Sequence, residues 1–573
     1  MTRGAKGCLL AAGAILVLLV VVAIAVMMAG GVPAGTVVQI TLAGDILEEK
    51  EDSLQAMLFQ GDAVLLRDII NAIDRARADD RVNGLMVVLK PFSMGLGKVQ
   101  EIRDAVLAFR ESGKWAAVYS DTIGEFSGGN AMYYLATAFD EIYLAPPGDV
   151  NVYGLLSVTP FLRGTLDKLG IYPDFDSIGK YKNAKDIYTE KEMTAAHREA
   201  TLAYLNDWHD QIAEGIAKGR SLDRDAVAGL INGGPYTGAE ALQKGLVDKL
   251  AYYDEFLDAL EERNGGELDP LGYKEYMEKR GGSSGRSRIA VITGTGIIVT
   301  GKSSAEPGGA VVMGSDTITR AFREAREDSG IKAIVFRVDS PGGSAVASDV
   351  IWRETQLARK DKPVVISMSD VAASGGYYVS AGSTRIVSQP GTITGSIGVV
   401  GGKMVTTGLY DWIGLNREAI GTADHSTYFY DGTKYTAEEK EIYWKFMNKI
   451  YDQFTGLVAQ GRGMTREAVD AIGQGRVWTG RRAKELGLVD ELGGMREAIR
   501  IAKKEAGIPE DETVRLVYLP QKRSFVQNLL WPEENSSAAR LPREMSRVMQ
   551  DLSRAAILSR EPVWLLSETP ALP

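Results

Sequence analysis

Cysteine and histidine are almost missing from this sequence. The one cysteine, Cys8, can form neither a disulfide framework nor a cysteine metal site within the chain. The three histidines, His197, His209 and His425, leave few candidates for a histidine base. His197 and His209 stand in a charged, helical stretch, where we expect both side chains to face solvent.

An excess of basic residues is also missing. The net charge is −10 and the pI is about 5.2, which argues against nucleic acid as a partner. A hydrophobic fraction of 45% and a charged fraction of 24% are typical of a globular protein. Because 573 residues are too many for a single hydrophobic core, we expect two or more domains.

Charge and proline are absent from residues 8–29. As a helix this stretch would span roughly 33 Å, enough to cross a bilayer. Arg3 and Lys6 precede it, and the first charged residue after it is Asp45. The pattern predicts a cytoplasmic tail at 1–7, a single anchor in the lipid bilayer of an inner (plasma) membrane at 8–30, and export of the rest. A cleaved signal peptide is the alternative, but the apolar run is longer than an ordinary signal core, which favours a retained anchor.

An internal duplication organises the rest of the chain. Four short segments recur in the same order at offsets of 242 to 252, and small drift in the offset is what loop insertions produce. The matching pairs are 37–41 with 289–293, 133–136 with 377–380, 236–238 with 478–480, and 245–248 with 487–490.

The duplication divides the chain into a first repeat at 36–262, a linker at 263–287, a second repeat at 288–519 and a tail at 520–573. Glycine and serine at 281–285 are typical of a flexible linker. Strand-like and helix-like segments alternate within the repeats, which predicts an α/β fold with parallel sheets and flanking helices. In the second repeat the predicted strands are 331–338 and 363–368, and the predicted helices are 349–360 and one that begins near 375. In the tail, 545–560 is predicted to be helical, and the tail is expected to pack on the protein or lie near the membrane.

Two glycine-rich turns follow strands of the second repeat, at 339–344 and 372–378. In the second turn Ser374 stands at a strand-to-helix junction, where its hydroxyl is expected to be exposed to substrate. Glycine permits close backbone approach, so the backbone amides of Gly342, Gly343 and Gly375 are candidate donors of an oxyanion hole. A single Ser-Gly-Gly is more often an ordinary turn, but two such turns one βα unit apart favour a catalytic role.

Few bases are available to activate Ser374. His425 invites comparison with a Ser-His-Asp triad, but it lies in a polar loop well past the serine. Lysine is the other choice, provided that burial lowers its pKa far enough for the neutral amine to form. Spacing alone does not select one lysine among many.

Four motifs together resemble the long, tandem-repeat form of the signal peptide peptidase A family, serine proteases of the Clp protease/crotonase fold superfamily. They lie at 179–184 (Gly-Lys-Tyr-Lys-Asn-Ala), 339–343 (Asp-Ser-Pro-Gly-Gly), 373–378 (Ala-Ser-Gly-Gly-Tyr-Tyr) and 394–398 (Thr-Gly-Ser-Ile-Gly). The resemblance extends over about 37–520. It implies that Ser374 is the nucleophile, that Lys182 rather than Lys180 is the base, and that Ser396 is a supporting serine.

Aligning the two repeats gives a check on this assignment. Asp424 then stands opposite Lys182, and Asn130 stands opposite Ser374. Each repeat has one half of the pair and lacks the other. We therefore expect one active site per chain, built across both repeats.

The resemblance implies a membrane-anchored endopeptidase with a Ser/Lys dyad that needs no metal or organic cofactor. Its substrates would be cleaved signal peptides or similar extended apolar segments, and the chain would form a homo-tetramer. Two alternatives are a crotonase-like acyl-CoA enzyme and a non-catalytic membrane scaffold of the same fold. Export and the presence of both Ser374 and Lys182 disfavour them.

Overall fold

A computed structural model describes residues 31–49, 64–125, 128–281, 285–305, 311–520 and 563–566. The predicted anchor at 8–30 and the predicted tail helix at 545–560 lie outside these residues. Within the described part of the chain, none of the helices combines the length and the apolar character that a membrane span requires.

The first half of the chain alternates strands with helices, as the sequence predicts. Its strands are β1 (Thr36–Leu47), β2 (Val64–Leu65), β3 (Val82–Ser93), β4 (Trp115–Ser120), β5 (Glu141–Leu144), β6 (Asp149–Val150), β7 (Tyr172–Ile178), β8 (Tyr236–Thr237), β9 (Lys249–Leu250) and β10 (Leu271–Gly272). Its helices are α1 (Leu66–Arg77), α2 (Leu96–Glu111), α3 (Asn130–Ala136), α4 (Arg163–Lys168), α5 (Asp186–Thr189), α6 (Ala195–Arg220), α7 (Arg224–Gly233), α8 (Gly238–Gln243), α9 (Tyr253–Asn264) and α10 (Tyr273–Arg280), with a 3₁₀ turn at Asn183–Lys185.

The second half follows the same alternation. Its strands are β11 (Arg288–Thr295), β12 (Ile297–Val299), β13 (Ser304–Ala305), β14 (Val311–Gly314), β15 (Ile331–Ser340), β16 (Gly342–Ser344), β17 (Val364–Ala373), β18 (Arg385–Ser388), β19 (Ile393–Gly395), β20 (Val399–Val405), β21 (Val477–Thr479), β22 (Glu491–Leu492), β23 (Arg515–Leu519) and β24 (Val563–Leu566). Its helices are α11 (Ser315–Glu327), α12 (Ala345–Asp361), α13 (Gly375–Ser380), α14 (Thr407–Ile413), α15 (Ala437–Arg462), α16 (Arg466–Ile472), α17 (Gly480–Glu485) and α18 (Met495–Glu505).

Each half has its own central sheet. The first has the strand order β10-β1-β3-β4-β5-β9 and is parallel throughout that path. The second has the order β21-β19-β17-β15-β11-β23, parallel except for the β19–β21 pair, and β18 and β22 extend it beside β17. Helices cover both faces, so the middle strands are buried on both sides and read as apolar runs such as 85–89 and 333–336. The predicted α/β fold with parallel sheets is confirmed.

The halves also repeat individual contacts. The Tyr133 hydroxyl donates to the carbonyl oxygen of Leu246, and the Tyr377 hydroxyl donates to that of Leu488. Likewise Arg220 forms an ion pair with Asp248, and Arg462 forms one with Asp490, in each case at 2.8 Å. The partners stand at the same offsets as the sequence motifs, so the duplication extends to side-chain contacts.

Part of the segment predicted to be a linker is folded onto the first sheet. Strand β10 pairs with β1 through Leu271 and Gly272, and α10 buries Tyr273 and Tyr276. The glycine and serine at 281–285 led to a prediction of flexibility for all of 263–287. The residues before 281 include apolar side chains, which can be buried against the sheet. The repeat boundaries themselves stay predictions.

Buried ion pairs hold the two halves against each other. Arg337 on β15 lies 2.7 Å from Glu48 and 2.8 Å from Glu101, both of the first half. Burial by itself would raise the pKa of Glu48, but Arg337 and Lys98 hold the pKa at about 2. These charges fix how the repeats dock, and the candidate site lies across that boundary.

A third sheet crosses the boundary between the halves. Its strand order is β13-β14-β12-β16-β24-β20-β7, so β7 of the first repeat completes a sheet of the second. Strands β7 and β20 pair antiparallel over seven residue pairs, from Val399 with Ile178 to Val405 with Tyr172. This pairing carries the chain that follows Ile178 toward the second repeat.

Candidate active site

Ser374 lies between strand β17 and helix α13, at the junction that the sequence predicts. Its backbone has φ 54° and ψ −112°, a left-handed conformation that is uncommon for a residue other than glycine. The Ser374 N–H donates to the carbonyl oxygen of Gly395 at 2.8 Å, which holds this turn against β19. A serine in a sharp strand-to-helix turn has its hydroxyl directed away from both elements.

Lys182 of the first repeat lies against this serine. Its Nζ is 2.7 Å from Ser374 Oγ, 3.0 Å from Ser396 Oγ, and donates to the carbonyl oxygen of Ser396 at 3.1 Å. The side chain is 2% exposed. Burial lowers the pKa of Lys182 well below its ordinary value, because water no longer solvates the ammonium form.

Lys180, two residues earlier, has a different environment. Its side chain is 63% exposed, and its Nζ lies 3.1 Å from the Tyr181 hydroxyl and 3.8 Å from Glu199. The Tyr181 hydroxyl raises the pKa of Lys180, which keeps this lysine charged. Of the two lysines in the motif, Lys182 is the one that the fold brings to Ser374.

The three candidate oxyanion glycines lie beside Ser374. A Cβ on Gly375 would come within 3.0 Å of both the Cα of Gly342 and the backbone nitrogen of Gly343, so the two turns touch. A Cβ on Gly343 would lie 2.1 Å from the carbonyl oxygen of Ile298, which leaves no room for a side chain. The Gly342 N–H donates to Ser340 Oγ at 3.1 Å and is engaged within its own turn. The Gly343 and Gly375 amides stay candidate donors.

A short segment of the second repeat, 474–476, supports the site and was missed from the sequence. The Tyr181 N–H donates to the carbonyl oxygen of Gln474, and the Ser396 N–H donates to that of Arg476, both at 2.7 Å. A Cβ on Gly475 would lie 2.6 Å from the Lys182 backbone nitrogen. Glycines at 473 and 475 marked a turn there, but no sequence signal joined that turn to Lys182.

Two expectations about exposure are wrong. Ser374 was expected to be exposed and is 0% exposed, with Lys182 Nζ 2.7 Å from its Oγ. His197 was expected to face solvent, but its side chain is buried with Nδ1 3.3 Å from Asp186 Oδ2. The face of α6 that contains His197 points inward, and the charged composition of that stretch of sequence did not reveal this.

The residues that align with Ser374 and Lys182 in the opposite repeats, Asn130 and Asp424, have other environments. Asn130 is buried at the start of α3, where its side-chain amide donates to the carbonyl oxygen of Gly154 at 2.8 Å. Asp424 and the nearby His425 are both exposed. The triad that His425 suggested would need an imidazole at Ser374, and the structure brings the Lys182 amine there instead.

Comparison with known proteins identifies the family of the chain. The model of peptidase family S49 matches residues 108–266 and 356–509, one segment in each repeat. The chain belongs to peptidase family S49, and its relatives define it as a serine protease. The resemblance to signal peptide peptidase A and the tandem repeat are thereby confirmed, and the peptidase is favoured over the acyl-CoA enzyme.

Two curated relatives span most of the chain. Serine protease SPPA, chloroplastic, of Arabidopsis thaliana is 35% identical over 506 residues, covering 87% of this chain and 73% of the relative. Protease 4 of Haemophilus influenzae is 30% identical over 470 residues, covering 78% of this chain and 74% of the relative. Among solved structures, a ClpP1 mutant from Listeria monocytogenes is 14% identical with a TM-score of 0.24, covering 36% of this chain and 94% of that chain.

Proposed function

We propose that the chain is a serine endopeptidase in which Ser374 is the nucleophile and Lys182 is the general base. The observation that carries the proposal is the 2.7 Å approach of Lys182 Nζ to Ser374 Oγ, in a buried position where the hydrogen-bond partners described for that amine are hydroxyl and carbonyl oxygens. A lysine there is neutral more readily than an ordinary lysine, and a neutral amine is able to take the serine proton.

The proposed reaction follows the usual order of acyl transfer. Neutral Lys182 takes the Ser374 proton while Oγ attacks the peptide carbonyl carbon. The oxyanion accepts hydrogen bonds from the Gly343 and Gly375 amides, and the lysine ammonium then gives its proton to the leaving amine. Water, deprotonated by Lys182, attacks the acyl-enzyme ester, and the proton returns to Ser374 Oγ as the ester bond breaks.

Ser396 is proposed to position Lys182. Its hydroxyl and carbonyl oxygens lie 3.0 and 3.1 Å from Nζ, so they direct the amine toward Ser374 without adding a charge. Because the base comes from one repeat and the nucleophile from the other, the chain has one site, and neither repeat is expected to act alone.

The proposed substrates are cleaved signal peptides or similar extended apolar segments, as the confirmed resemblance implies. We further propose that residues 8–30 anchor the chain in an inner (plasma) membrane, with the repeats on the exported side, and that the chain assembles as a homo-tetramer. These three proposals rest on the sequence pattern and the resemblance.

The test is peptidase activity of the full chain against Ser374→Ala, Lys182→Ala and Lys182→Arg. Each variant is expected to lose about 10³-fold or more in kcat. Arginine keeps the positive charge but stays protonated, so it separates the need for a base from the need for a cation. Lys180→Ala is the matched control and is expected to stay near the wild-type rate. Near wild-type activity in Ser374→Ala or Lys182→Ala would show that the assignment is wrong.

A further inference from the structure

Two aspartates stand at the entrances to the two glycine-rich turns of the candidate site. Asp339 begins the turn at 339–344, the oxyanion turn. Asp370 lies on β17 two residues before the turn at 372–378, the nucleophile turn, which contains Ser374. Strands β15 and β17 are parallel neighbours in the second sheet, so both turns leave the sheet at the same edge. The way these two strands pair at that edge therefore sets the spacing of the turns.

The pairing of β15 with β17 is irregular just before the turns. The register shifts between Val338 and Ser340 of β15, and the facing stretch of β17, 368–372, has two extra residues. A bulge of this kind leaves backbone groups without a partner in the ladder of the sheet. The Asp339 carboxylate supplies such a partner, because its Oδ1 accepts from the Val371 N–H at 3.1 Å. A side chain of the oxyanion turn thus holds the strand that leads to the nucleophile.

Lys98 of the first repeat binds both carboxylates. Its Nζ lies 2.8 Å from Asp339 Oδ2 and 3.3 Å from Asp370 Oδ2, and only 10–14% of each of these three side chains is exposed. Asp370 also accepts from the backbone N–H groups of Lys98 and Gly95, each at 2.8 Å. A Cβ on Gly95 would overlap the Asp370 carboxyl group, so the start of α2 contacts β17 directly. The first repeat therefore reaches the irregular part of β17 through one cation and two backbone amides.

We propose that Lys98 is a positioning residue of the protease, which fixes the nucleophile turn relative to the oxyanion turn through Asp339 and Asp370. This inference rests on the proposed function, because it assigns Lys98 a part in the same site. Without the cation the two carboxylates repel each other, and β17 shifts against β15 at the bulge. Ser374 then moves relative to the amides beside it, and a displacement of about 1 Å in an active site costs about 100-fold in rate. The first repeat thus contributes Lys182 as the base and Lys98 as the residue that positions the two turns.

Lys98→Met in the full chain removes the cation, and Lys440→Met is the matched control. Lys440 of the second repeat also joins the repeats through two aspartates, Asp174 and Asp176 of β7, each 2.7 Å from its Nζ, and all three lie outside the two turns. The measurements are kcat and KM for one peptide substrate and the Ki of a peptide aldehyde. The aldehyde carbon bonds to Ser374 Oγ, and the aldehyde oxygen then takes the oxyanion position, so its Ki reports the geometry of the two turns.

Lys98→Met is expected to lower kcat about 100-fold and to weaken aldehyde binding by a similar factor, while KM stays within about threefold. Lys440→Met is expected to leave all three quantities within about threefold of wild type. A cation that only stabilised the fold would reduce the amount of folded protein and leave the Ki of the folded fraction unchanged. An unchanged aldehyde Ki in Lys98→Met, or equal losses in the two variants, would overturn the proposal.

A second pair of variants keeps Lys98 in place and does not depend on the folding of Lys98→Met. Asp339→Leu removes the acceptor of the Val371 N–H, whereas Asp339→Asn has the same size and keeps one acceptor oxygen. In both variants Asp370 still binds Lys98. Asp339→Leu is expected to lower kcat about 30-fold or more, and Asp339→Asn is expected to stay within about threefold of wild type. Equal kcat values for the two variants would overturn the proposal.

Amide hydrogen exchange, followed by mass spectrometry, separates this inference from the proposed function because it needs no catalysis. Relative to the amides of β11, those of 369–378 are expected to exchange about tenfold faster or more in Lys98→Met, and at the wild-type rate in Lys440→Met. Faster exchange there in a chain without peptidase activity would support the positioning role and contradict the proposed function. Activity that depends on Lys182, with exchange and kcat unchanged in Lys98→Met, would contradict the positioning role alone.

Discussion

Two buried lysines of the first repeat face the second repeat in opposite electrostatic settings. Lys98 Nζ lies 2.8 Å from Asp339 and 3.3 Å from Asp370, and Lys182 Nζ lies among hydroxyl and carbonyl oxygens of Ser374 and Ser396. Burial alone would lower the pKa of Lys98, but Asp339 and Asp370 raise it above the ordinary value. Burial lowers the pKa of Lys182, and within the described part of the chain no carboxylate opposes that effect.

The difference teaches which lysine can act as a base. Both side chains are almost fully buried, so burial by itself does not select one. A carboxylate stabilises the ammonium and makes the lysine a structural cation, whereas neutral oxygens accept its hydrogen bonds without adding a charge. In the second repeat Asp370 also accepts from the Gly95 and Lys98 backbone amides, which links Lys98 to docking of the repeats.

The largest expected effect is on stability. Lys98→Met should lower the free energy of unfolding by about 3–5 kcal/mol, because Asp339 and Asp370 would be left buried without their cation. Lys182→Met should change it by about 1 kcal/mol, the value of an ordinary hydrogen bond. Urea unfolding of both variants, followed by tryptophan fluorescence, measures the contrast, and equal losses would contradict it.

The pH dependence of these stability changes should differ as well. Folded Lys182 binds its proton more weakly than the unfolded chain does, so stability rises with pH between its folded and unfolded pKa values. The stability difference between wild type and Lys182→Met should therefore change from pH 7 to 10. The stabilisation from Lys98 is lost only as pH rises through its raised folded pKa. The stability difference between wild type and Lys98→Met should therefore stay constant from pH 7 to 10.

A carboxylate introduced beside Lys182 should stabilise its ammonium form, as Asp339 and Asp370 do for Lys98. Ser396 has φ 52°, a conformation that Asp and Asn tolerate better than most residues, so Ser396→Asp and Ser396→Asn both suit the backbone. Ser396→Asp should raise the pKa of Lys182 and lower kcat/KM at pH 7 by about 100-fold, or ~2.7 kcal/mol. Ser396→Asn has almost the same size without the charge. Similar losses in both variants would show that charge is not the reason.

The next smaller expected effect is the pH dependence of kcat/KM. Since the neutral form of Lys182 is the active base, kcat/KM should rise about tenfold per pH unit on the acid limb and level off above the lowered pKa. The same profile for Ser396→Asp should be displaced to higher pH. A wild-type optimum near pH 5, measured on one peptide substrate, would argue against a lysine base.

The smallest expected effect concerns the Ser396 hydroxyl alone. Ser396→Ala removes one neutral oxygen 3.0 Å from Lys182 Nζ and leaves the carbonyl contact in place. The loss in kcat should be about 2- to 10-fold, the range of an ordinary hydrogen bond. A loss as large as that of Lys182→Ala would make Ser396 more than a positioning residue.

Local patterns anticipated much of the fold. The helix predicted at 349–360 is observed as Ala345–Asp361, and the strand predicted at 331–338 is observed as Ile331–Ser340. These two predictions are correct because burial of one face or of both faces of an element produces a recognisable apolar pattern in a short run of sequence. The folded part of the linker and the buried His197 were missed, because each is buried by segments distant in the chain.

By itself, the sequence determined the α/β alternation, the duplication and the turn that contains Ser374. The alternation and the turn follow from residues within a few positions of one another, and the duplication follows from comparing short segments of the sequence. Only the tertiary structure decided that Lys182 lies 2.7 Å from a serine 192 residues away, with its pKa lowered, and that β24 joins the sheet beside them. Desolvation and strand pairing depend on which distant segments close over a group, and no local pattern carries that information.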